Sequence, residues 1–290
     1  MQEPYNFISV IVPCLNSEST IDMCISSLLQ QEYPPEHFEL IFVDDGSNDR
    51  TVELIKKYPV KLLREEKKNP FIARNKGVQN SNGNVLAFTD SNCEVDKGWL
   101  STINENINEG FEAIQGPGSL TKQTEILPRA ECNLLIMKKE DYWGDTKNFA
   151  ILKSVFNEVG GFPCHTSGDS LIVYELKKLN YKIKYDENLK VYREYSTKFS
   201  VLLGKNWKYG KGDVAIDYHY NRLNWVRKLF QSLKYSMRFF IKIPTARNFD
   251  DLMISVFYYH TMKVTRAISY IVNFKTVVNN CTDSDNCRSY

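Results

Sequence analysis

Two neighbouring carboxylates, Asp44 and Asp45, follow the apolar run Leu40-Ile41-Phe42-Val43 and precede a Gly46-Ser47 turn. A run of that kind has the length of one buried parallel strand. Carboxylates just past the carboxyl end of such a strand lie where open α/β sheets bind ligands. There a carboxylate can accept hydrogen bonds from a ribose hydroxyl or a base N–H. Asp49 stands where it can cap a helix beginning near Arg50. Taken alone, the pattern fits a ligand loop and an ordinary capped turn about equally well.

Two other strands end in the same way. Residues 7–13 are apolar, pass into the polar stretch Cys14-Leu15-Asn16-Ser17-Glu18, and lead to Ile21, Cys24, Ile25, Leu28 and Leu29 at helical spacing. Val85-Leu86-Ala87-Phe88-Thr89-Asp90 is a further strand ending in an acid. The alternation continues to about residue 115, with strands at 7–13, 39–44, 60–64, 85–90 and 111–115 and helices at 19–31, 49–57, 71–80 and 97–108. Such alternation predicts a mostly parallel sheet with helices on both faces. Gly116-Pro117-Gly118 breaks it, and residues 119–147 are less regular. Phe149 to Val155 returns to the sheet, Glu158-Val159-Gly160-Gly161-Phe162 turns, and a helix at 169–179 and a strand at 182–192 follow. After residue 197 the chain becomes helical and rich in aromatic and basic residues.

Taken together, Val12-Pro13-x-Leu15-Asn16-x-Glu18, Val43-Asp44-Asp45-Gly46-Ser47-x-Asp49, Ala73-Arg74-Asn75-x-Gly77 and Phe88-Thr89-Asp90 resemble the family 2 glycosyltransferases of GT-A fold. Order and spacing match over roughly the first 220 residues, and the ensemble is far more specific than any one piece. The resemblance implies an α/β protein with a mostly parallel, Rossmann-like central sheet flanked by helices, and a C-terminal helical extension. It implies a catalytic domain at 1–212, with a nucleotide-binding half at 1–115 and an acceptor-binding half at 116–212. An amphipathic helical region at 213–278 and a disordered tail at 279–290 complete the expectation.

Glycosyl transfer needs a pocket for the nucleotide, positive charge for the leaving diphosphate, and a base for the acceptor hydroxyl. The resemblance implies Asp45 near the base of the nucleotide, Asp90 near its ribose, and Pro13 and Asn16 along the floor. Arg74 can reach the base or a phosphate, near a helix start that favours anions. The general base is expected at Asp169, after the Gly160-Gly161-Phe162 turn, where the competing reading is an ordinary helix N-cap. The implied reaction is inverting transfer from a UDP-sugar.

The leaving-group site departs from the family. The usual Asp-x-Asp becomes Asp90-Ser91-Asn92, whose amide can ligate a hard cation but supplies no charge. Arg193 stands where relatives often carry a metal-binding His. Arginine cannot ligate a cation, but it can grip a diphosphate in bidentate fashion. Two alternatives therefore stand: a weakly held Mg²⁺ or Mn²⁺ on Asn92 and Glu94, or a metal-independent mechanism in which Arg193, with Lys205, Lys208 or Lys211, takes over the cation's role. Asn206-Trp207-Lys208-Tyr209-Gly210-Lys211-Gly212 resembles a segment that closes over the donor, with Trp207 stacking on a sugar face. Gly210 or Gly212 as a helix C-terminal cap is the competing reading.

Composition excludes other classes. The 290 residues carry 37 Lys+Arg against 35 Asp+Glu, a net charge of +2, which is no global nucleic-acid footprint. Seven cysteines without metal spacing suit a reducing compartment. The first residues show no signal-peptide pattern, and residues 254–271 are interrupted by His260, Lys263 and Arg266, so neither secretion nor a span is expected. A cytoplasmic location is expected, with the inner face of the membrane as one alternative within it. Residues 222–243 interleave apolar positions with Arg222, Arg227, Lys228, Lys234, Arg238 and Lys242. That pattern suits an anionic membrane surface, and equally packing on the catalytic domain or on a second subunit. A second such helix is expected from about 250 to 274. The acceptor is then a carbohydrate or a lipid-linked sugar, in polysaccharide or glycolipid synthesis. A dehydrogenase would need Gly-x-Gly-x-x-Gly after the first strand, and a nucleotidyltransferase a Gly-rich, Arg-containing loop there; Pro13-Cys14-Leu15-Asn16 is neither. The remaining alternative is a degenerate nucleotide-sugar-binding or scaffold protein without transfer activity.

Overall fold

The computed structural model describes residues 5–66, 69–117, 120–125, 127–130, 132, 145–163, 168–219, 261–262 and 264–273, with side chains at 211–213 and 215–219 left aside. Two compact units form: 1–122, 139–164 and 168–194 make the first, and 123–138, 165–167 and 195–290 the second.

In the first unit, strands β1 (Ile8–Cys14), β2 (Phe38–Asp44), β3 (Lys61–Arg64), β4 (Val85–Phe88), β6 (Ala113–Gln115), β7 (Phe149–Leu152) and β8 (Ile183–Tyr185) form a seven-stranded sheet in the order β3-β2-β1-β4-β7-β6-β8. Strands β5 (Cys93–Val95) and β9 (Val191–Arg193) pair separately. All of β1 and β4 is buried, as expected of continuous apolar strands covered on both faces. Side chains alternate between two cores. Ile8, Val10, Val12 and Phe42 face α1 (Ile21–Leu29) and α4 (Trp99–Asn108). Ile11, Ile41, Val43, Leu86 and Phe88 face α3 (Pro70–Gln79), α5 (Lys153–Glu158) and α6 (Gly168–Lys178). The short α2 (Thr51–Ile55) follows β2. The expected mostly parallel α/β sheet is therefore present.

Several boundaries differ from those read in the sequence. The strand expected at 182–192 is two strands in different sheets, because Asp186 makes a side-chain turn, its Oδ1 accepting the Asn188 N–H at 2.9 Å. The strand expected through Val155 stops at Leu152, and the helix α5 takes over. The three-residue β5 is too short to leave a periodic signal.

In the second unit, α7 (Phe199–His219) runs through Gly210, which is therefore no helix C-terminal cap. A Cβ at Gly210 would come within 2.4 Å of the Arg266 carbonyl oxygen, so glycine lets the helical residues 264–273 approach closely. The same holds against a cap at Gly212, which lies within α7. The helix 264–273 exposes Val264, Ile268, Ile271 and Val272. The expected helix at 222–243 and the tail at 279–290 lie outside the described residues. Among the described residues no helix is long and apolar enough to cross a membrane.

Candidate active site

Strand order locates the site. From β1 the chain moves out to β2 and β3, then crosses back to pair β4 on the other side of β1. The carboxyl ends of β1 and β4 thus flank a topological switch point, where open α/β sheets form their ligand crevice. The loops after β1, β2 and β4 carry Asn16, Asp45 and Asp90.

The first two loops are laced together. Asn16 adopts a left-handed φ of 50°, and its side-chain oxygen accepts the Asn48 N–H at 3.0 Å while its own N–H donates to Ser47 Oγ at 2.9 Å. Ser17 N–H donates to Thr51 Oγ1 at 2.7 Å, and Glu18 N–H to Asp49 Oδ2 at 3.1 Å. Asp49 also accepts the Thr51 N–H at 3.0 Å, bracing the first turn of α2 as its sequence position suggests. Asp44 turns back to accept the Ser47 N–H, whereas Asp45 is buried beside Cys14, whose carbonyl accepts the Asp45 N–H at 2.8 Å. Pro13 lies past the end of the β1–β4 ladder, which closes at Ile11 opposite Phe88, so its missing N–H leaves that ladder intact.

Arg74 and Asp90 form an ion pair at 2.5 Å. The arginine side chain is 4% exposed and the carboxylate 29%. The guanidinium also stands 5.5 Å from the centroid of the Phe71 ring. Its Nε is buried without a hydrogen-bond partner among the described residues, as is Thr89 Oγ1, one residue before Asp90. Each residue of the Ala-Arg-Asn-x-Gly motif has its own task. Ala73 fills the core, Arg74 holds Asp90, and Gly77 lets α3 meet β1, where a Cβ would sit 2.5 Å from Ile11 Cγ2. Asn75 donates to the Phe162 carbonyl at 2.7 Å and accepts the Phe162 N–H at 3.0 Å.

That clamp brings the segment carrying Asp169 beside α3. Gly160 and Gly161, at φ of 84° and 74°, make the left-handed turn before Phe162. Gly168 then packs on Phe71: a Cβ there would lie 2.8 Å from the Pro163 carbonyl oxygen and 3.0 Å from the ring. Asp169 is half-buried in the first turn of α6 and accepts the Ser170 N–H at 2.8 Å. Its carboxyl is raised to about 6, first by burial and then by the Asp145 carboxylate, with Lys147, the Ser170 N–H and Arg74 opposing.

Asp145 and Lys147 were not apparent as site residues from the sequence. They form a largely enclosed ion pair, with side chains 7% and 16% exposed. Arg193 enters from β9, where it lies opposite Cys93 of β5. The Cys93 thiol is pushed up to about 11, first by burial and then by Asp90; Lys147 and Arg193 pull it down and Asp145 adds to the rise. The charges of Asp90, Asp145, Lys147 and Arg193 thus act on Cys93, and those of Asp145, Lys147 and Arg74 on Asp169.

The donor set does not fit a tightly held divalent ion. Asp90 is engaged by Arg74, and both oxygens of Glu94 accept from Lys122 at 2.8 Å. Asn92 contributes only an amide, whose oxygen lies 3.6 Å from the Cys93 thiol. Among the described residues no group of three His, Cys, Asp or Glu is arranged to hold a metal. The remaining candidates, Trp207 and Lys208, lie on α7 of the second unit, as does the backbone of Lys211. There the Trp207 carbonyl accepts the Ser269 hydroxyl at 2.6 Å, and Lys205 stands 5.7 Å from the centroid of the Tyr209 ring.

A parallel α/β sheet with acids and arginines gathered at its switch point defines a GT-A-type transferase. The chain belongs to glycosyl transferase family 2, which matches residues 9–165. It is therefore a glycosyltransferase. It is 26% identical over 227 residues to glycosyltransferase AglE of Haloferax volcanii, spanning 72% of this chain and 74% of that protein. It is 35% identical over 107 residues to the poly(ribitol-phosphate) β-N-acetylglucosaminyltransferase TarS of Staphylococcus aureus, spanning 35% of this chain and 19% of that protein. Among solved structures it resembles the Pyrobaculum calidifontis mannosyltransferase PcManGT in complex with GDP-Man and Mn²⁺, with a TM-score of 0.61 at 14% identity over 99% of this chain and 82% of that one. S. aureus TarS 1–349 in complex with UDP-GlcNAc follows, with a TM-score of 0.55 at 17% identity over 96% and 92% of the two chains. At such identities the structural likeness carries the fold alone.

Proposed function

We propose that the chain transfers a sugar from a UDP-sugar to an acceptor hydroxyl with inversion at the anomeric carbon, and that Asp169 is the general base. The observation that carries this reading is the half-buried Asp169, raised to about 6 and next in sequence to a glycine packed against Phe71, beneath the arginine that holds Asp90. A carboxylate with that basicity is ionised at neutral pH and is a better proton acceptor than an ordinary one. The acceptor O–H proton passes to an Asp169 oxygen as the acceptor oxygen attacks the anomeric carbon. The bond from that carbon to the β-phosphate oxygen breaks, and its electron pair leaves with UDP.

Asp45 and Asp90 bind base and ribose in this reading, with Pro13 and Asn16 as floor. Arg74 serves the nucleotide through Asp90, whose carboxylate it holds. Arg193 stabilises the diphosphate in this reading. The weak donor set at Asn92 and Glu94 supports a reaction that does not depend on a tightly held cation. UDP as the carrier rests on the family resemblance, since of the two solved neighbours TarS is bound to UDP-GlcNAc and PcManGT to GDP-Man. The interleaved basic and apolar residues of 222–243 support a carbohydrate or lipid-linked acceptor presented at the cytoplasmic face of a membrane.

Calorimetry with a panel of UDP- and GDP-sugars, in Mn²⁺ and then in EDTA, tests the reading. Equal binding of a UDP-sugar in both, with product formed by the native chain and not by Asp169→Asn, is the expected result. Tight binding with no transfer or hydrolysis under any condition would instead favour a nucleotide-sugar-binding scaffold.

A further inference from the structure

We propose that Ser91 is a positioning residue for the nucleotide. It ends a chain of hydrogen bonds that begins at Asp49 and presets the spacing of the three loops carrying Asn16, Asp45 and Asp90. The proposal rests on the reading that the nucleotide occupies the crevice between those loops.

The chain runs across the carboxyl ends of three neighbouring strands, β2, β1 and β4. After β2, Asp49 Oδ1 accepts the Thr51 hydroxyl at 2.5 Å. Thr51 Oγ1 in turn accepts the Ser17 N–H at 2.7 Å, which crosses to the loop after β1. Ser17 Oγ and Ser91 Oγ stand 2.7 Å apart, which crosses to the loop after β4. The direction of that last bond follows from what else Ser17 touches. Its hydroxyl also lies 3.4 Å from the Leu15 carbonyl oxygen, which can only accept. With Ser17 donating to Leu15 and Ser91 donating to Ser17, every hydroxyl in the chain has one acceptor.

Thr51 is fully buried, and Ser17 and Ser91 are 7% and 8% exposed. Buried hydroxyls in a fully paired chain specify one arrangement, because breaking a link strands a polar group away from water. Ser17 is also the start of the next helix: its carbonyl accepts the N–H groups of Thr20 at 3.0 Å and Ile21 at 2.9 Å, leading into α1. At the other end of the chain, the Asp90 carbonyl accepts the Cys93 N–H at 3.0 Å and the Cys24 thiol at 3.6 Å. Asp90 is thus held at its carboxylate by Arg74, at its carbonyl by β5 and α1, and through Ser91 by the loop after β1. Ser17 follows Asn16 and Ser91 follows Asp90 in sequence, so the bridge joins the neighbours of two residues expected to meet the nucleotide. A site assembled in advance loses no affinity to the ordering of its loops.

Calorimetry on the full chain, with UDP as the probe, tests the proposal. Ser91→Ala and Ser17→Ala are each expected to weaken UDP binding about three- to tenfold, the net worth of one hydrogen bond. Because the two residues share that bond, the double variant is expected to lose little beyond either single one. Ser81→Ala is the control. It removes another buried hydroxyl, bonded to the Val78 carbonyl at 2.7 Å just past the end of α3, and should lower the melting temperature while UDP affinity stays native. Ser91→Cys, which is close in volume but a weak donor, decides the matter if an alanine variant does not fold. UDP affinity unchanged in the Ser17 and Ser91 variants, with stability lost as in Ser81→Ala, would make the bridge a matter of folding alone and overturn the proposal. Losses that add in full in the double variant would overturn it too, since the two serines would then act separately. The two readings fail in different ways. A native chain that binds no UDP retires the nucleotide crevice, whereas native binding that the variants leave unchanged retires the positioning residue alone.

Discussion

Asn75 holds both backbone groups of Phe162, donating to its carbonyl oxygen at 2.7 Å and accepting its N–H at 3.0 Å. One amide on α3 thereby fixes the glycine turn that precedes the Asp169 segment. Asn75→Ala leaves both of those backbone groups unpaired and should cost about 1–3 kcal/mol in urea unfolding. Because misplacing a reacting group by an ångström lowers the rate steeply, the turnover number should fall about tenfold or more while donor affinity stays near native. A proportional loss in donor affinity would show that the clamp serves the nucleotide pocket instead.

Replacing the base removes the proton acceptor without touching the nucleotide contacts. Asp169→Asn should lower transfer by a factor of about 10²–10⁴ and leave UDP binding within about twofold. In the native chain, activity should fall as pH drops through about 6, where Asp169 takes up its proton. An acid limb near 4 would mean that another group titrates.

The same residue makes a prediction about stability whose sign is opposite to that of a salt-bridged acid. The folded carboxyl sits at about 6 against an ordinary value of 3.8, so folding favours its protonated form. The penalty is absent below the unfolded value and complete above about 6. Asp169→Asn should therefore stabilise the fold by roughly 1–3 kcal/mol at pH 7.5 and by almost nothing at pH 4. Thermal melts across that range provide the check, and a stabilisation independent of pH would point to altered packing.

Gly168 allows no side chain without displacement. Gly168→Ala drives a methyl group against the Pro163 carbonyl oxygen and the Phe71 ring and should cost about 1–3 kcal/mol. Transfer should fall with it, since Asp169 is the next residue. Stability and activity both unchanged in this variant would mean that the contact relaxes freely.

Arg193→Ala should weaken UDP binding about tenfold or more in EDTA, as expected when a charge-assisted contact to a diphosphate is lost. Lys at this position should restore only part of the affinity, because it cannot bind in bidentate fashion. Full affinity in EDTA after Arg193→Ala would remove the arginine from the diphosphate site.

The sheet was legible because its strands are uninterrupted apolar runs. Ile8–Cys14 and Phe38–Asp44 appear within a residue of where their sequence puts them, and the loops after them carry the motif acids. The helix that carries Asp169 was legible to within a residue, expected at 169–179 and found at Gly168–Lys178. The enclosed ion pair of Asp145 and Lys147 was not, because the antiparallel register of β7 against β4 sets where their loop emerges, and sequence spacing says nothing about strand direction. Asn75 was visible as part of a motif, but its partner lies 87 residues away. Glu94 looked available as a ligand because Lys122 is distant in sequence, although it closes on both carboxylate oxygens in the fold. The split of residues 182–192 was hidden for a related reason. Asp186 is polar in either case, and only the competition between two sheets for its flanks makes it a turn.

Cys14, Cys24 and Cys93 are free, buried thiols in β1, α1 and β5, close beneath the ligand-facing edge of the sheet. Each is held well above the usual thiol range, burial being the largest cause, so almost none of the reactive thiolate exists at neutral pH. Together they form an internal clock. A disulfide reagent can reach them only when this edge opens, and their labelling rate therefore measures how often it does so. A bound donor that braces the loops after β1 and β4 would slow that clock, reporting occupancy of the crevice with no sugar transferred and no acceptor known.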